Sequence, residues 1–204
     1  MKKALFENTE VAFKMKKNFH LYNAIFLFNV ITKKILVKIL TNLTITMLKF
    51  RLPVKWILKG TIYKHFCGGI DITQCKKIIF DMYKMNVFSI LDYSVEGLSN
   101  ETSFNKSCEK KIKIIDVVSE NNAVPFAVFK PTSIGRYELF KVVSDGKKLL
   151  KDEEVEWSNV VNRFHKICNH ALTNKTKILI DAEEYEVQKA IDELALEMMK
   201  YYNK

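Results

Sequence analysis

The chain has 204 residues, a formal net charge of +10 and 48% hydrophobic residues. This composition is that of a folded globular protein and excludes disorder of the whole chain. The lysines are scattered and the chain has only three arginines, so we expect no nucleic-acid partner, whereas weak attraction to an anionic membrane surface stays open.

The four cysteines form no C-x-x-C pair and occur singly in apolar or helical stretches. This pattern favours buried free thiols over a disulfide framework or a zinc site. Residues 1–10 lack the features of a signal peptide. The most apolar stretch, residues 24–50, is interrupted by lysines and falls short of a membrane span. We therefore expect a cytoplasmic protein.

The N-terminal region is predicted to be helical. Between Val11 and Lys59, apolar residues recur at helical spacing, as at Ala24, Phe28, Ile31, Ile35 and Ile39. Pro53 predicts a break, and Gly68 with Gly69 closes the segment. We predict a helical N-terminal arm over residues 1–69 and a second domain over residues 70–204.

Helices and short apolar runs alternate after Gly69. Helices are predicted over residues 71–85, with Asp71 or Thr73 as N-cap, and over 101–120, 152–174 and 183–202. The apolar runs between them predict three buried strands, at 87–91, 125–129 and 177–180. Unbroken apolar strands separated by helices indicate an α/β fold with a parallel sheet covered on both faces.

Each predicted strand is followed by, or ends on, an ionisable residue, namely Asp92, Lys130 and Asp181. The carboxyl ends of parallel strands face the same edge, so these side chains are expected to converge. An ion pair between Lys130 and Asp181 would keep the ammonium charged and ready to stabilise negative charge on a cofactor or substrate.

Each of these residues also has a purely structural explanation. Asp92 can cap a turn, and Lys130 can be a solvated lysine that leaves the sheet. Asp181 can be the N-cap of the last helix, with Glu183 and Glu184 favouring its positive end. Both explanations stay open at this point.

Other site chemistries have less support. The four histidines lie in predicted helices or in the N-terminal region, which disfavours a Ser/His/Asp or metal-histidine site. A Mg²⁺ site at Asp92, Asp181 and Glu183 is an alternative that the charge of Lys130 opposes, so we expect no metal. The sequence has no glycine-rich phosphate loop.

Several stretches, in unbroken order, resemble the FAD-dependent proline dehydrogenase family. They are FENTEVAF (6–13), TIYKHFCGG (61–69), ILDYSVEG (90–97), PFAVFKPT (125–132), IDAEE (180–184) and EMM (197–199) with the following Tyr202 and Asn203. Each stretch alone is weak, and the ordered set covers nearly the whole chain.

The resemblance implies a distorted (β/α)₈ TIM barrel that binds FAD and oxidises L-proline to Δ1-pyrroline-5-carboxylate in proline catabolism. A membrane quinone would accept the electrons, which suits peripheral contact with the inner face of a membrane. By matching motif, Lys130 is the lysine beside the flavin and the proline, and Asp181 is its acidic partner. Asp92 would line the proline pocket, and Glu96 matches a glutamate that gates it.

A complete barrel needs about 250 residues beyond any helical arm. We therefore expect this chain to form the first three β/α units of the barrel, after the helical arm, and to be inactive alone, with the C-terminal half supplied as a separate chain, read through a frameshift, or lost. The alternative is a non-catalytic remnant, or a module that binds a partner or a membrane surface.

Overall fold

The computed structural model describes residues 7–93, 95 and 97–203. These residues divide into two compact units, one that ends at Met82 and one that begins at Tyr83.

The first unit is helical, as predicted. Its helices are α1 (Thr9–Ala12), α2 (Asn18–Ile31), α3 (Lys34–Lys49), α4 (Val54–Leu58), a π-helical turn (Lys59–Tyr63), α5 (Lys64–Phe66) and α6, which runs over Ile72–Tyr83 up to the second unit. The expected N-cap Asp71 accepts a 2.8 Å hydrogen bond from the Gln74 N–H. In the part of the chain that the structure describes, none of the helices is long and apolar enough to cross a membrane.

Most apolar side chains of the first unit are exposed. Among residues 7–82, the buried ones are Leu27, Val54 and Ile79. Phe19 is 77% exposed and Trp56 is 81% exposed. This unit therefore gains little from the burial of apolar surface, which is the main favourable contribution to folding.

The second unit has a two-stranded parallel sheet with helices packed against it, among the described residues. Its elements are α7 (Glu101–Ser119), β1 (Phe126–Phe129), a 3₁₀ turn (Pro131–Ser133), α8 (Tyr137–Ser144), α9 (Lys151–Thr173), β2 (Lys177–Ile180) and α10 (Tyr185–Tyr202). In the register of the sheet, Phe126 lies opposite Lys177 and Phe129 lies opposite Ile180. The predicted α/β class is confirmed, and its place in a (β/α)₈ barrel stays a prediction.

The core of the second unit follows from the helical stripes of the sequence. α7 begins where the Asn100 side chain accepts a 2.9 Å hydrogen bond from the Ser103 N–H. On α9, the predicted stripe of Val160, Phe164 and Ile167 is fully buried. The Phe164 ring packs edge-on against Phe129 of β1, with ring centroids 5.3 Å apart.

The predicted first strand, residues 87–91, is wrong in extent and in burial. A parallel bridge between Leu91 and Ala127 joins this segment to β1. The Ser89 N–H also donates a 2.9 Å hydrogen bond to the carbonyl of Ala123, which precedes β1. Val87 and Phe88 are exposed. An apolar run gains stability as a strand only where other elements cover it, and here the described residues leave these side chains in solvent.

The prediction that the last strand is covered on both faces is also wrong. Along β2, exposed and half-buried residues alternate, and Lys177 and Leu179 are the exposed ones. In β1, by contrast, Ala127 and Phe129 are buried. One face of β2 therefore lies open to solvent, because successive residues of a strand point to opposite faces.

The 3₁₀ turn and α8 after β1 were not predicted. Gly135, within this segment, allows a close approach to α9. A Cβ at this position would lie 2.6 Å from Cγ2 of Val160 and 2.9 Å from Cε2 of Phe140. A larger residue would push the turn away from the core, which explains the glycine here.

Candidate functional site

Lys130 and Asp181 lie side by side at the ends of the two strands. The register pairs Phe129 with Ile180, so the next residue of each strand leaves the sheet at the same edge. Lys130 Nζ lies 2.9 Å from Asp181 Oδ2, and the side chains are 30% and 45% exposed. The Asp181 N–H also donates a 3.1 Å hydrogen bond to the Phe129 carbonyl.

The predicted ion pair is thus present, and the alternative role of Asp181 as an N-cap is wrong. α10 begins at Tyr185, and Glu184 is at its N-cap position. The hydrogen bond that Lys130 donates to the Asp181 carboxylate raises the pKa of Lys130 above its ordinary value, assisted by the charges of Asp181, Glu183 and Asp92. Lys130 is therefore a fixed positive charge at neutral pH. Its catalytic and cofactor-binding roles stay predictions.

Asp92 contributes negative charge to the same edge. It follows Leu91, the residue that bridges to β1, and its side chain is exposed. Its charge favours the protonated forms of Lys130 and Lys111. The three predicted strand-end residues are therefore close enough to interact electrostatically. Glu96, the fourth predicted site residue, lies outside the described residues.

Glu183 was expected to favour a helix terminus, or to join a Mg²⁺ site, and its contact with the other strand end was not predicted. Its carboxylate accepts hydrogen bonds from the Thr132 N–H at 2.8 Å and from Thr132 Oγ1 at 2.5 Å. Its own N–H donates to Gln188 Oε1 at 2.8 Å. Glu183 therefore joins the segment after β2 to the turn after β1. Its position two residues beyond Asp181 was the available signal, since alternate residues of an extended chain share a side.

Lys111 is a second functional candidate that was missed. It is 3% exposed, on the face of α7 that also carries the buried residues Phe104, Cys108 and Ile115. Its Nζ donates a 2.6 Å hydrogen bond to the Tyr93 carbonyl. Burial lowers its pKa from the ordinary 10.5 to about 8. The signal in the sequence was a lysine within an apolar helical stripe.

An open cavity of about 680 Å³ adjoins the ion pair. Lys130, Thr132 and Glu183 line it, with Gly97, Arg136 and Tyr137 around them. The Arg136 guanidinium is held by Glu156, with nitrogen to oxygen distances of 3.1 and 2.8 Å. Over the described ranges, no three His, Cys, Asp or Glu side chains are grouped as metal ligands. The cavity thus offers a fixed cation and a set of carboxylates to a small organic molecule.

The family model described as proline dehydrogenase matches residues 75–204, a range that contains Asp92, Lys130 and Asp181. Mitochondrial proline dehydrogenase 1 of Caenorhabditis elegans is 38% identical over 156 residues, covering 70% of this chain and 23% of that protein.

The carbapenem antibiotics biosynthesis protein CarD of Pectobacterium carotovorum is 29% identical over 139 residues. Mitochondrial proline dehydrogenase 2 of Arabidopsis thaliana is 24% identical over 177 residues. Each of these two alignments covers 68% of this chain and 37% of the relative. The chain therefore spans little more than a third of the length of these two relatives. Because the family model matches most of the chain, the chain belongs to the proline dehydrogenase family.

Proposed function

We propose that this chain carries the Lys130 and Asp181 side of a site that oxidises L-proline to Δ1-pyrroline-5-carboxylate. The observation that carries the proposal is the 2.9 Å ion pair at the ends of two parallel strands, inside the range that matches the family. A membrane quinone is the proposed electron acceptor.

The chain's own groups would act by charge. Lys130 stays protonated because Asp181 holds it, so its ammonium can stabilise negative charge that develops during the reaction. Asp92 offers a carboxylate that complements the secondary ammonium of proline. Glu96 is proposed to gate the pocket, as the resemblance implies.

The residues at the cavity fit part of an FAD molecule, which when bound would accept a hydride from the C5 carbon of proline. The fit rests on the Lys130 ammonium, which lines the cavity and whose charge matches an electron-rich reduced flavin ring. Lys130 is thus the residue that would hold the flavin in this chain.

We further propose that the isolated 204-residue polypeptide binds neither FAD nor proline appreciably. One face of β2 is open to solvent, and an open site gives weak binding because water screens its charges. About two thirds of each relative's length lies outside the part that this chain covers. A partner chain that supplies the rest of a barrel would close the site.

The test is proline-dependent reduction of an electron-accepting dye, by this chain alone and mixed with a polypeptide that supplies the rest of a relative's barrel. We expect activity only in the mixture, and a loss of at least about 100-fold in Lys130→Ala. Lys141→Ala, in the exposed pair with Glu186, is the matched control and should keep activity. A mixture that never turns over argues against the function, and flavin retained by the isolated chain argues against its inactivity.

The second candidate function is contact between the first unit and an anionic membrane surface. Between Glu10 and Asp71 the sequence contains many lysines, one arginine and no acidic residue. Trp56 and Phe19 are exposed in the same segment. Basic and aromatic side chains together favour the interface of an anionic bilayer.

Vesicles test this second function. In a Trp157→Phe variant, Trp56 is the remaining tryptophan, and we expect its emission to shift to the blue with phosphatidylglycerol vesicles at low salt. Vesicles of phosphatidylcholine are the control, since they lack the negative charge. An unchanged spectrum with both vesicles would exclude contact of Trp56 with the bilayer.

A further inference from the structure

Lys111 occupies a buried position of α7 where an apolar side chain would pack well against its neighbours. It lies within the buried stripe of α7, three residues after Cys108 and four before Ile115. A buried ammonium costs free energy unless it is compensated. Its presence in the stripe therefore calls for an explanation other than packing.

The ammonium of Lys111 holds the chain at the point where it leaves the sheet. Leu91 is bridged to Ala127 of β1, and the Tyr93 carbonyl accepts a 2.6 Å hydrogen bond from Lys111 Nζ. Asp92 lies between these two attachments. Its backbone is thus fixed on both sides, once by the sheet and once by α7.

Lys111 also interacts with the charges of the site. The charge of Asp92 favours its protonated form, whereas Lys110 on its own helix and Lys130 after β1 oppose it. The Tyr93 ring is a further neighbour, with its centroid 5.4 Å from Nζ. These groups, from α7, from the segment before it and from the end of β1, act on the ammonium.

We propose that Lys111 is a positioning residue, whose hydrogen bond to the Tyr93 carbonyl holds Asp92 at the edge of the sheet beside Lys130. The proposal deepens the proposed function and rests on it for the role of Asp92. Lys111 does not touch the reacting atoms, and its effect on the site passes through the chain at Asp92 and Tyr93.

The direct test is an NMR titration of the Tyr93 carbonyl ¹³C signal between pH 6.5 and 9.5, on the full chain. In the wild type we expect a transition with a midpoint of about 8, because loss of the Lys111 proton changes the hydrogen bond. Lys111→Met keeps the length of the side chain without a donor and should abolish the transition. Lys110→Met is the matched control, since Lys110 contacts the Tyr93 ring and hydroxyl but not the carbonyl.

Two further variants distinguish positioning from simple packing. We expect Asp92→Asn to lower the midpoint and Lys130→Met to raise it, each by about 0.5 unit, from the lost attraction and the lost repulsion. These variants leave Lys111 in place, so the test remains if Lys111→Met does not fold. The proposal is overturned if neither change moves the midpoint of the titration. It is also overturned if the Tyr93 carbonyl signal still titrates in Lys111→Met.

A kinetic measurement links the residue to the site. In a mixture that oxidises proline, Lys111→Met should raise KM severalfold and remove the inflection near pH 8 from the pH profile, and Lys111→Arg should restore most of the affinity. Unchanged kinetics in Lys111→Met would refute the role in positioning. If the mixture with the wild-type chain shows no turnover, the proposed function fails. The carbonyl titration still decides whether Lys111 binds the Tyr93 carbonyl and whether its pKa depends on the charges of Asp92 and Lys130.

Discussion

The first unit of this protein is at least as apolar in sequence as the second, but it buries far fewer of its apolar side chains. In residues 7–82, the buried apolar side chains are Leu27, Val54 and Ile79, and long aromatic and aliphatic side chains lie in solvent. From Tyr83 onward, α7, α8, α9 and α10 enclose a core in which Phe104, Phe129, Phe140 and Phe164 are buried almost completely.

This difference shows that an apolar helix does not by itself make a core. The helices of the second unit are amphipathic and pack against a sheet, so their apolar stripes meet. α2 of the first unit carries apolar residues on nearly all sides, and among them only Leu27 is buried. The candidate site is built on the unit with the larger buried core, which can hold charged groups at fixed distances.

A matched pair of truncations gives the largest expected difference between the units. Phe164→Ala removes a fully buried ring that packs on Phe129, and it should lower the free energy of unfolding by about 3–5 kcal/mol. Phe26→Ala makes the same change in exposed α2 and should cost less than about 0.5 kcal/mol. Urea unfolding curves measure both. Equal costs would contradict the contrast between the units.

The pH dependence of stability tests whether two groups in the core of the second unit, Lys111 and Cys168, are buried. The folded-state pKa of Lys111, about 8, lies below its ordinary 10.5, so the unfolded chain binds more protons in this window. Stability should therefore rise as the pH increases above about 8, by up to about 3 kcal/mol if no other group titrated. The rise should vanish in Lys111→Met.

The ionisation of Cys168 changes the stability in the opposite direction at higher pH. Burial raises its pKa from the ordinary 9.0 to about 11, so the folded chain holds the thiol proton where the unfolded chain has lost it. Stability should therefore fall between pH 9 and 11, which offsets the rise from Lys111. Cys168→Ala should uncover the rise up to about pH 10.5 in unfolding curves measured at each pH. An unchanged profile in this variant would argue against the burial of the thiol.

The connection between the strand ends should contribute a smaller amount. Glu183→Gln replaces a carboxylate that accepts two hydrogen bonds from Thr132, and it should lower the free energy of unfolding by about 1–2 kcal/mol. The neighbouring exposed residue provides the control variant, Glu184→Gln, which should have little effect. Thermal unfolding separates the two variants, and equal melting temperatures would remove the structural role of Glu183.

The smallest effect on stability is expected at the ion pair of the site. Because Lys130 and Asp181 are partly exposed, a double-mutant cycle with Lys130→Met and Asp181→Asn should give a coupling below about 1 kcal/mol. The same changes should strongly reduce proline oxidation in an active mixture. A large coupling in stability without an effect on turnover would make the pair structural rather than functional.

Much of the second unit was predictable because its signals are local. The helices at 101–120 and 152–174 lie within one residue of the observed α7 and α9, since caps and apolar periodicity define their ends. β2 was predicted with its observed bounds. The pairing of Lys130 with Asp181 followed from the strand ends, because parallel strands in register bring the next residues together.

The errors arose where long-range contacts decide the outcome. Residues 87–91 have a strand-like composition, but their burial depends on other elements, and the segment forms only the bridge at Leu91. α8 follows a proline-containing turn, and its place depends on the close approach of Gly135 to α9. The contact of Glu183 with Thr132 joins residues 51 positions apart, so the local alternation that puts Glu183 on the side of Asp181 does not identify its partner.

The sequence by itself determined the α/β class, the helical first unit and the strand-end lysine and aspartate, because periodicity, caps and strand ends are properties of neighbouring residues. The tertiary structure alone decided which apolar segments are buried and where charges lie relative to one another. Lys111 is the clearest case, since a lysine on a helix is ordinarily exposed. Only packing places this one against the Tyr93 carbonyl, where desolvation and the surrounding charges set its protonation.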